Sequence, residues 1–381
     1  MAAPKIKNME RAYGFEEVAI VPGDITVNPD QTNTDFKIGN FTFSIPILAA
    51  AMDAAVDPNF AILLHKLGGL AVLNLDGVQA RYEKPEEILA QIVQAPDKEV
   101  TALLQKVYSE PIKEKLISER VQKIKRAGAT CAVSLIPANT KRLAQVAKEA
   151  GADIVVIQST VTTARHISKS YRGLIFSELC QTLDMPIIVG NCVTYSAALE
   201  LMRTGIDGLL VGVGPGAACT TREVLGVGVP QVTATMDCAA AREAFFKETG
   251  KYVAVITDGG MRTGSDVCKA FASGADAVML GSIMAQAAEA PGKGYHWGMS
   301  HPHPSLPRGT RIKAGVRGPL ERLLFGPTSA TDGTENFVGA LRTAMGVCGA
   351  LTIKDMHKAK MVIAPTIKTE GKHFQAMQGV C

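Results

Sequence analysis

The chain has 381 residues, of which 47% are hydrophobic and 20% charged, enough for one large core or two ordinary domains. The formal net charge of +4 is small for this length, which argues against a nucleic-acid partner and agrees with a small anionic substrate. No apolar run approaches a membrane span and the N-terminus carries no apolar signal segment, so we expect a cytoplasmic protein without a membrane partner.

Short apolar runs alternate with amphipathic stretches along the chain, and the runs predict eight strands. These lie at residues 46–49, 69–73, 131–135, 153–157, 186–190, 208–212, 252–257 and 276–280, with helical patterns between them, for example at 140–150, 195–204 and 265–273. A degenerate repeat supports the alternation: Gly151, Gly205 and Gly274 each end a predicted helix, and an aspartate follows two residues later. Eight such units predict an α/β fold, a (β/α)8 TIM barrel, with a doubly wound open sheet as the alternative.

Three segments do not follow the repeat. Residues 77–127 are rich in charge and helical in pattern, and we interpret them as a helical insertion. Residues 291–319 are rich in Gly, Pro, His and Arg and are typical of a long loop, which we interpret as an active-site flap. Residues 354–381 form a basic tail, expected to be solvated or partly ordered. With these additions, residues 1–381 are predicted to form a single catalytic domain.

The eight cysteines are scattered and none forms a CxxC pair, which argues against a zinc site or a disulfide framework. His296, His301 and His303 lie in the proline-rich loop without an obvious carboxylate or cysteine ligand set. We therefore favour a flap that touches substrate over a metal site.

The most informative stretch is the glycine-rich loop at residues 212–222, after the sixth predicted strand. Its glycine-rich part leads to Cys219, and Thr220, Thr221 and Arg222 follow. Glycines let a backbone approach a ligand closely, and a cysteine on such a loop is a candidate nucleophile. The alternative is an ordinary buried thiol.

The loops after the last two predicted strands carry Asp258, Gly259 and Gly260, then Gly281 and Ser282. In a barrel these loops lie at the carboxyl ends of the strands, where backbone amides commonly hold a phosphate. Asp258 is a candidate acceptor for ribose hydroxyls. The sequence therefore predicts a thiol, a phosphate site and a sugar site at one mouth of the barrel.

These motifs, in this order, resemble the IMP dehydrogenase/GMP reductase family over nearly the whole chain. The resemblance rests on residues 14–22, 50–53, 189–194, 214–228, 258–260 and 279–282. It implies that the Cys219 thiolate attacks C2 of a purine 5′-nucleotide and forms a covalent thioimidate, with Thr221 as a second catalytic residue. In the reductase GMP loses ammonia and NADPH delivers hydride to give IMP, whereas in the dehydrogenase IMP gives hydride to NAD⁺ and water releases XMP.

The resemblance also implies the other site residues. Substrate contacts are expected from Met52, Asn191, Gly214, Gly216, Asp258, Gly259, Gly260, Gly281, Ser282, Glu289, Tyr295, Gly298 and Met299. Gln158, Ser159 and Thr160 are expected to bind the nicotinamide cofactor. The backbone carbonyls of Gly214, Gly216 and Cys219 form a candidate K⁺ site, and a homotetramer is expected.

Several features favour the reductase. Arg222 stands where the dehydrogenase usually has Gln, residues 77–127 are too short for a pair of CBS motifs, and residues 291–319 contain no Arg-Tyr pair to activate water. Two positions depart from the family pattern: no Glu follows Met299, where the reductase carries one to pair with Thr221, and Gln158 replaces a usual Asp.

We therefore predict an NADPH-dependent GMP reductase. An IMP dehydrogenase and a non-catalytic purine-nucleotide-binding regulator are the alternatives.

Overall fold

A closed barrel of eight parallel strands forms the centre of the computed structural model, which describes residues 9–167, 173–298, 311–367 and 369–370. In chain order, and numbered first to eighth below, the strands are Ile47–Ala49, Leu70–Asn74, Ala132–Leu135, Ile154–Gln158, Ile187–Cys192, Gly208–Val211, Ala254–Asp258 and Ala277–Leu280. The eighth strand pairs with both the seventh and the first, which closes the ring. The predicted (β/α)8 barrel is confirmed, and the open sheet is excluded.

Helices surround the barrel and cover the outward side chains of its strands. They are Pro58–Lys66, Glu114–Arg126, Pro137–Glu149, Phe176–Thr182, Tyr195–Met202, Gln231–Thr249, Gly264–Ala272 and Phe337–Val347. Along the fourth strand Val155 and Ile157 belong to the core beneath these helices, whereas Ile154 and Val156 belong to the core inside the barrel. Both faces of the strands are therefore apolar, which explains their continuous hydrophobic runs.

A β-hairpin, Phe36–Ile38 and Phe41–Phe43, closes the amino-terminal end of the barrel. Its side chains Phe36, Ile38 and Phe43 belong to the interior core, and the aromatic rings of Phe36 and Phe43 stack with centroids 6.2 Å apart. This end is filled with apolar side chains, so the opposite end is left for a polar site.

Two helices, Pro85–Gln94 and Val100–Ser109, extend from the barrel after the second strand, following the 3₁₀ turn Val78–Ala80. They build a small core of their own, which includes Leu89, Leu104 and Trp297. The next helix, Glu114–Arg126, instead contributes Ile117, Val121 and Ile124 to the main core. The segment predicted as one helical insertion thus divides into a separate helical pair and a helix of the barrel ring.

The two ends of the described chain meet in a two-stranded antiparallel sheet, in which Val18–Ile20 pairs with Met361–Ile363. The Ala364 N–H donates to the Glu17 carbonyl, and the Val21 N–H to the Lys360 carbonyl, both at 2.8 Å. The beginning of the segment predicted as a basic tail is therefore held by backbone hydrogen bonds, which a charge pattern does not reveal.

The remaining elements are short. They are the 3₁₀ turns Phe15–Glu17 and Pro29–Gln31, the helices Thr221–Leu225, Ser282–Ala285, Leu320–Phe325 and Ile353–Met356, and the paired strands Tyr295–His296 and Ile312–Lys313. Within the described ranges, the structure contains no helix with the length and apolar character needed to span a bilayer.

Candidate active site

A cavity of about 600 Å³ opens at the carboxyl ends of the barrel strands. Loops after the first, fourth, fifth, sixth, seventh and eighth strands all contribute to its wall. The predicted site residues that line it are Met52, Gln158, Ser159, Thr160, Asn191, Gly214, Gly216, Cys219, Thr221, Asp258, Gly259, Gly260, Gly281, Ser282 and Gly298. The fold thus brings residues that are far apart in the sequence into one cavity.

Two of the residues implied by the resemblance lie outside the lining of this cavity. Glu289 is exposed, and its carboxylate accepts the Leu320 N–H at 2.9 Å, at the start of the helix Leu320–Phe325. The Tyr295 ring lies against the Arg311 guanidinium, 4.9 Å from the ring centroid. Met299, His301, His303 and Cys381 lie outside the described residues.

The Cys219 loop brings a thiol and a hydroxyl together. The Cys219 S–H donates to Thr221 Oγ1 at 3.1 Å, and the Thr221 side chain is buried at the first turn of the helix Thr221–Leu225. The Arg222 guanidinium donates to the carbonyls of Val213 at 3.1 Å and Val229 at 2.7 Å. Arg222 therefore ties the two ends of the loop together and fixes the backbone that carries the thiol.

Several other cysteines behave as core residues. Burial raises the pKa of the Cys131 and Cys268 thiols to about 12. Cys192 and Cys238 are buried with their sulfur atoms 3.9 Å apart. Of the seven cysteines in the described residues, Cys219 is the one that lines the cavity. Its half-buried position in the cavity wall sets it apart from these four buried thiols.

Asp258 is the centre of a polar network in the wall of the same cavity. Its Oδ2 accepts hydrogen bonds from Gln158 Nε2 and Asn191 Nδ2, both at 2.8 Å. Desolvation raises the pKa of Asp258 to about 6, and the two amide donors act in the opposite direction. The carboxylate is thus oriented by two neutral amides and is ionised at neutral pH.

Gln158 takes part in this network as well as lining the cavity at the end of the fourth strand. Its Nε2 also approaches Asn191 Oδ1 at 3.1 Å, while its Oε1 is buried without a hydrogen-bond partner. A buried acceptor without a partner is costly, because the group loses its hydration and gains nothing in exchange. A ligand that donates a hydrogen bond at this point would remove that cost.

Glycines let the loop after the seventh strand approach the loop after the sixth, and the loop after the eighth approach the loop after the first. Gly260 has φ +82°, and a Cβ on it would lie 3.0 Å from the Pro215 side chain. A Cβ on Gly281 would lie 2.8 Å from the Met52 sulfur. Gln231 Nε2 donates to the carbonyls of Val211 and Asp258, both at 3.1 Å, and so links the ends of the sixth and seventh strands.

His296 also lines the cavity, together with Arg317 and with Gln286 and Thr334, the last two of which sequence reasoning did not single out. The His296 side chain is 1% exposed, and neither ring nitrogen has a hydrogen-bond partner. Burial lowers the pKa of His296, so the imidazole is neutral at neutral pH. Its position two residues before Gly298 was the signal available in the sequence.

The described residues contain no group of three or more His, Cys, Asp or Glu side chains arranged to hold a metal ion. Backbone carbonyls are the other oxygen source for a cation. In the Cys219 loop, the Gly216 carbonyl accepts the Cys219 N–H at 3.0 Å, which forms a tight turn. The remaining lone pair of that carbonyl is chemically suited to a hard cation.

Comparisons with known proteins agree with this geometry. The IMP dehydrogenase / GMP reductase domain matches residues 12–300. The chain is 39% identical to an uncharacterized oxidoreductase of Mycobacterium tuberculosis H37Rv over 366 residues, covering 94% of this chain and 98% of that protein. It is 28% identical to the inosine-5′-monophosphate dehydrogenase of Cryptosporidium parvum over 403 residues, with 94% of each covered.

Among solved structures, the chain is similar to an IMP dehydrogenase/GMP reductase-like protein from Corynebacterium glutamicum. The TM-score is 0.89 at 35% identity, covering 93% of this chain and 95% of that one. The resemblance seen in the sequence is therefore confirmed. The chain is an oxidoreductase that belongs to the IMP dehydrogenase/GMP reductase family.

Proposed function

We propose that this protein is a GMP reductase, which uses NADPH to convert GMP to IMP and ammonia. The observation that carries the proposal is the Cys219 thiol, 3.1 Å from the Thr221 hydroxyl in a cavity that also contains an oriented carboxylate. Pure nucleotide binding does not need a thiol at this position. A covalent reaction at an electron-poor ring carbon does.

The cavity volume of about 600 Å³ suits a purine nucleotide. We assign the phosphate to the backbone amides around Gly260, Gly281 and Ser282, which present donors without bulky side chains. Asp258 accepts the ribose hydroxyls, and the base lies between Met52 and Cys219. This arrangement holds C2 of the purine within reach of the sulfur atom.

In the first half-reaction, Cys219 Sγ forms a bond to C2 and the 2-amino group leaves as ammonia after it gains a proton. Thr221 Oγ1 is placed to exchange a proton with the thiol or with the departing nitrogen. In the second, bound NADPH would be the source of the hydride that C2 gains; the C2–S bond then breaks, which regenerates the Cys219 thiolate and releases IMP.

Gln158, Ser159 and Thr160 are the residues we assign to the nicotinamide side. All three residues line the cavity, and a neutral amide such as Gln158 can both donate to and accept from a carboxamide. A neutral amide at this position leaves Asp258 as the carboxylate of the network.

An IMP dehydrogenase is the second candidate, because one curated relative that spans 94% of this chain carries that name. In that reaction water, rather than hydride, would resolve the intermediate on Cys219. The two candidates share the nucleotide site and differ in what approaches C2 afterwards. A nucleotide-binding regulator without turnover is the third.

Two finer proposals accompany the first. The carbonyls of Gly214, Gly216 and Cys219 bind K⁺, so that activity depends on K⁺ and is lower in Na⁺ alone. The protein assembles as a homotetramer, which light scattering after size-exclusion chromatography measures directly.

The decisive experiment is a pair of assays at the absorbance band of reduced nicotinamide. One contains GMP with NADPH and the other IMP with NAD⁺. Loss of absorbance in the first, with ammonia released, supports the reductase. A gain of absorbance in the second assay alone makes the protein a dehydrogenase. No change of absorbance in either assay, with a nucleotide still bound, supports the regulator.

A further inference from the structure

Three buried side chains connect the helical pair Pro85–Gln94 and Val100–Ser109 to the wall of the cavity. Trp297 Nε1 donates to Tyr108 Oη at 2.7 Å, and Tyr108 Oη donates to Asp53 Oδ2 at 2.5 Å. Tyr108 belongs to the helix Val100–Ser109, whereas Asp53 follows the first strand. We call these three residues, Asp53, Tyr108 and Trp297, the linkage.

Each end of the linkage adjoins residues that line the cavity. Trp297 lies between His296 and Gly298, and Asp53 directly follows Met52; all three of these neighbours contribute to the cavity wall. Trp297 itself packs in the small core of the helical pair with Leu104 and Val107. The linkage therefore joins two sides of the cavity mouth through a helix that does not itself reach the cavity.

The direction of the hydrogen bonds follows from chemistry. An indole N–H donates only and an ionised carboxylate accepts only, so the phenol between them must accept from one and donate to the other. Trp297, Asp53 and Tyr108 are 2%, 2% and 5% exposed, so water is not available to replace a lost partner. Removing the Tyr108 hydroxyl therefore leaves the Trp297 N–H without this acceptor and the Asp53 carboxylate without this donor.

The segment that carries Trp297 is also held by backbone contacts, among them hydrogen bonds from the Ala314 and Gly315 N–H groups to the Gly294 carbonyl. Tyr295–His296 pairs with the two-residue strand Ile312–Lys313, and the Gly292 N–H donates to the Ala54 carbonyl at 2.8 Å. Because a two-residue pairing is weak by itself, the buried and hydrogen-bonded indole adds an anchor directly between His296 and Gly298.

We propose that the linkage is a positioning device: Asp53, Tyr108 and Trp297 hold His296 and Gly298 against the cavity mouth and make that wall depend on the helical pair. None of the three residues lines the cavity itself. The inference concerns the shape of the cavity and is independent of which nucleotide reacts there; only the binding test below rests on the proposed function.

The protein carries its own reporter, because Trp297 is its single tryptophan. In Tyr108→Phe we expect the emission to shift to longer wavelength and acrylamide quenching to increase, because the indole loses its acceptor and becomes more accessible. Tyr82→Phe is the matched control. It removes a tyrosine hydroxyl that donates to the Val107 carbonyl on the same helix at 3.0 Å and not to a member of the linkage. Identical spectra for wild type and Tyr108→Phe would contradict the proposal that Tyr108 holds the Trp297 indole in place.

The second measurement follows the cavity itself. Alkylation of Cys219 by iodoacetamide, resolved by peptide mass spectrometry, should be about fivefold faster in Tyr108→Phe, as expected for the loss of one net hydrogen bond that holds the wall closed. The half-buried Cys348 serves as an internal control, since faster labelling at both sites would indicate general unfolding. Asp53→Asn keeps an oxygen acceptor for Tyr108 and should label at nearly the wild-type rate. Equal Cys219 rates in Tyr108→Phe and Tyr82→Phe would contradict the proposal.

The third measurement is binding of IMP and GMP by calorimetry, where Tyr108→Phe should raise Kd several-fold and Tyr82→Phe should not. If wild type binds neither nucleotide, the proposed function fails, while the fluorescence and labelling results still decide on the linkage. If wild type binds and Tyr108→Phe binds equally well, the linkage does not position the wall and the proposed function stands.

Discussion

At the residue scale, the cavity combines a thiol, a hydroxyl and a carboxylate, each in a different state of solvation. The Cys219 thiol is half-buried and faces the cavity, the Thr221 hydroxyl beside it is buried, and Asp258 is oriented by two amides. A nucleophile needs access, whereas a proton-exchanging neighbour needs a fixed position. The geometry of the Cys219 loop is compatible with the roles proposed for Cys219 and Thr221.

The first prediction concerns Cys219→Ala. Removing the nucleophile should lower kcat by roughly a thousandfold or more, because no intermediate forms on the enzyme. IMP and GMP should still bind within about threefold of the wild-type Kd, since one sulfur atom contributes little to an interface of this size. Steady-state rates and calorimetry measure the two quantities. Substantial turnover in this variant would exclude the covalent mechanism.

The second prediction is a pH dependence of nucleotide binding. Desolvation raises the pKa of Asp258 to about 6, so the free protein gains a proton there as the pH falls through 6 and loses its acceptor for ribose hydroxyls. Affinity should therefore be full above pH 7 and fall by up to about tenfold per pH unit below 6.

The nucleotide phosphate titrates near the same pH, so a matched control is needed. Asp258→Asn keeps the phosphate titration and removes that of the carboxyl group. Its Kd should be higher than that of wild type at pH 7.5, and it should change less steeply with pH. Parallel profiles for the two proteins would show that Asp258 does not face the ribose.

Sequence reasoning was most effective for residues whose chemistry depends on the local loop. Cys219 and Asp258 were singled out from turns at strand ends, whereas the role expected of Thr221 came only from the family resemblance. It was least effective where a distant partner determines the role: Glu289 binds the Leu320 N–H, and Gln158 binds Asp258 across 100 positions in the chain. Those partners are defined only once the barrel closes.

At the scale of elements, the strand pattern was readable because each strand is apolar on both faces. The predicted boundaries agree with the observed ones within two residues, and they differ where pairing rather than hydrophobicity sets the end. The seventh strand, expected at residues 252–257, begins at Ala254 because its register with Gly208 starts there. The pairing of Val18–Ile20 with Met361–Ile363 was not predicted, since neither run alternates or carries a turn signal.

The third prediction concerns the attachment of the longest described helix, Gln231–Thr249, to the amino-terminal end of the barrel. Arg242 and Asp276 form an ion pair at 2.8 Å, and their side chains are 2% and 10% exposed. Asp276 also accepts hydrogen bonds from Tyr252 Oη at 2.6 Å and the Val255 N–H at 2.8 Å. Arg242→Met should lower the free energy of unfolding by about 3 kcal/mol, because Asp276 stays buried without its counter-charge.

Urea denaturation followed by circular dichroism measures this change, and Arg203→Met is the control. The ion pair of Arg203 with Glu248 leaves about half of each side chain exposed, so its loss should cost under about 0.5 kcal/mol. Similar losses in the two variants would mean that burial does not determine the strength of the Arg242 pair.

At the scale of the whole molecule, both ends of the described chain pack on the same barrel. Lys269 Nζ donates to the Phe15 carbonyl at 2.8 Å, and the Tyr13 N–H donates to Thr233 Oγ1 at 2.8 Å. Together with the terminal two-stranded sheet, these contacts tie the N-terminal segment to the helices Gly264–Ala272 and Gln231–Thr249. We therefore expect the barrel to unfold as one cooperative unit, so that a ligand at its mouth stabilises all of it.

The fourth prediction uses this cooperativity to test the phosphate assignment. A ligand at a hundred times its Kd stabilises the folded state by about 2.7 kcal/mol, which for 381 residues corresponds to a rise in Tm of about 3 °C. GMP and IMP should produce this rise, and inosine at the same concentration should not, because it lacks the group that the amides around Gly260, Gly281 and Ser282 are assigned to hold. Differential scanning calorimetry measures the three shifts. An equal shift with inosine would mean that the base and ribose contacts supply the binding energy. The glycines after the seventh and eighth strands would then serve only to let these loops pack closely.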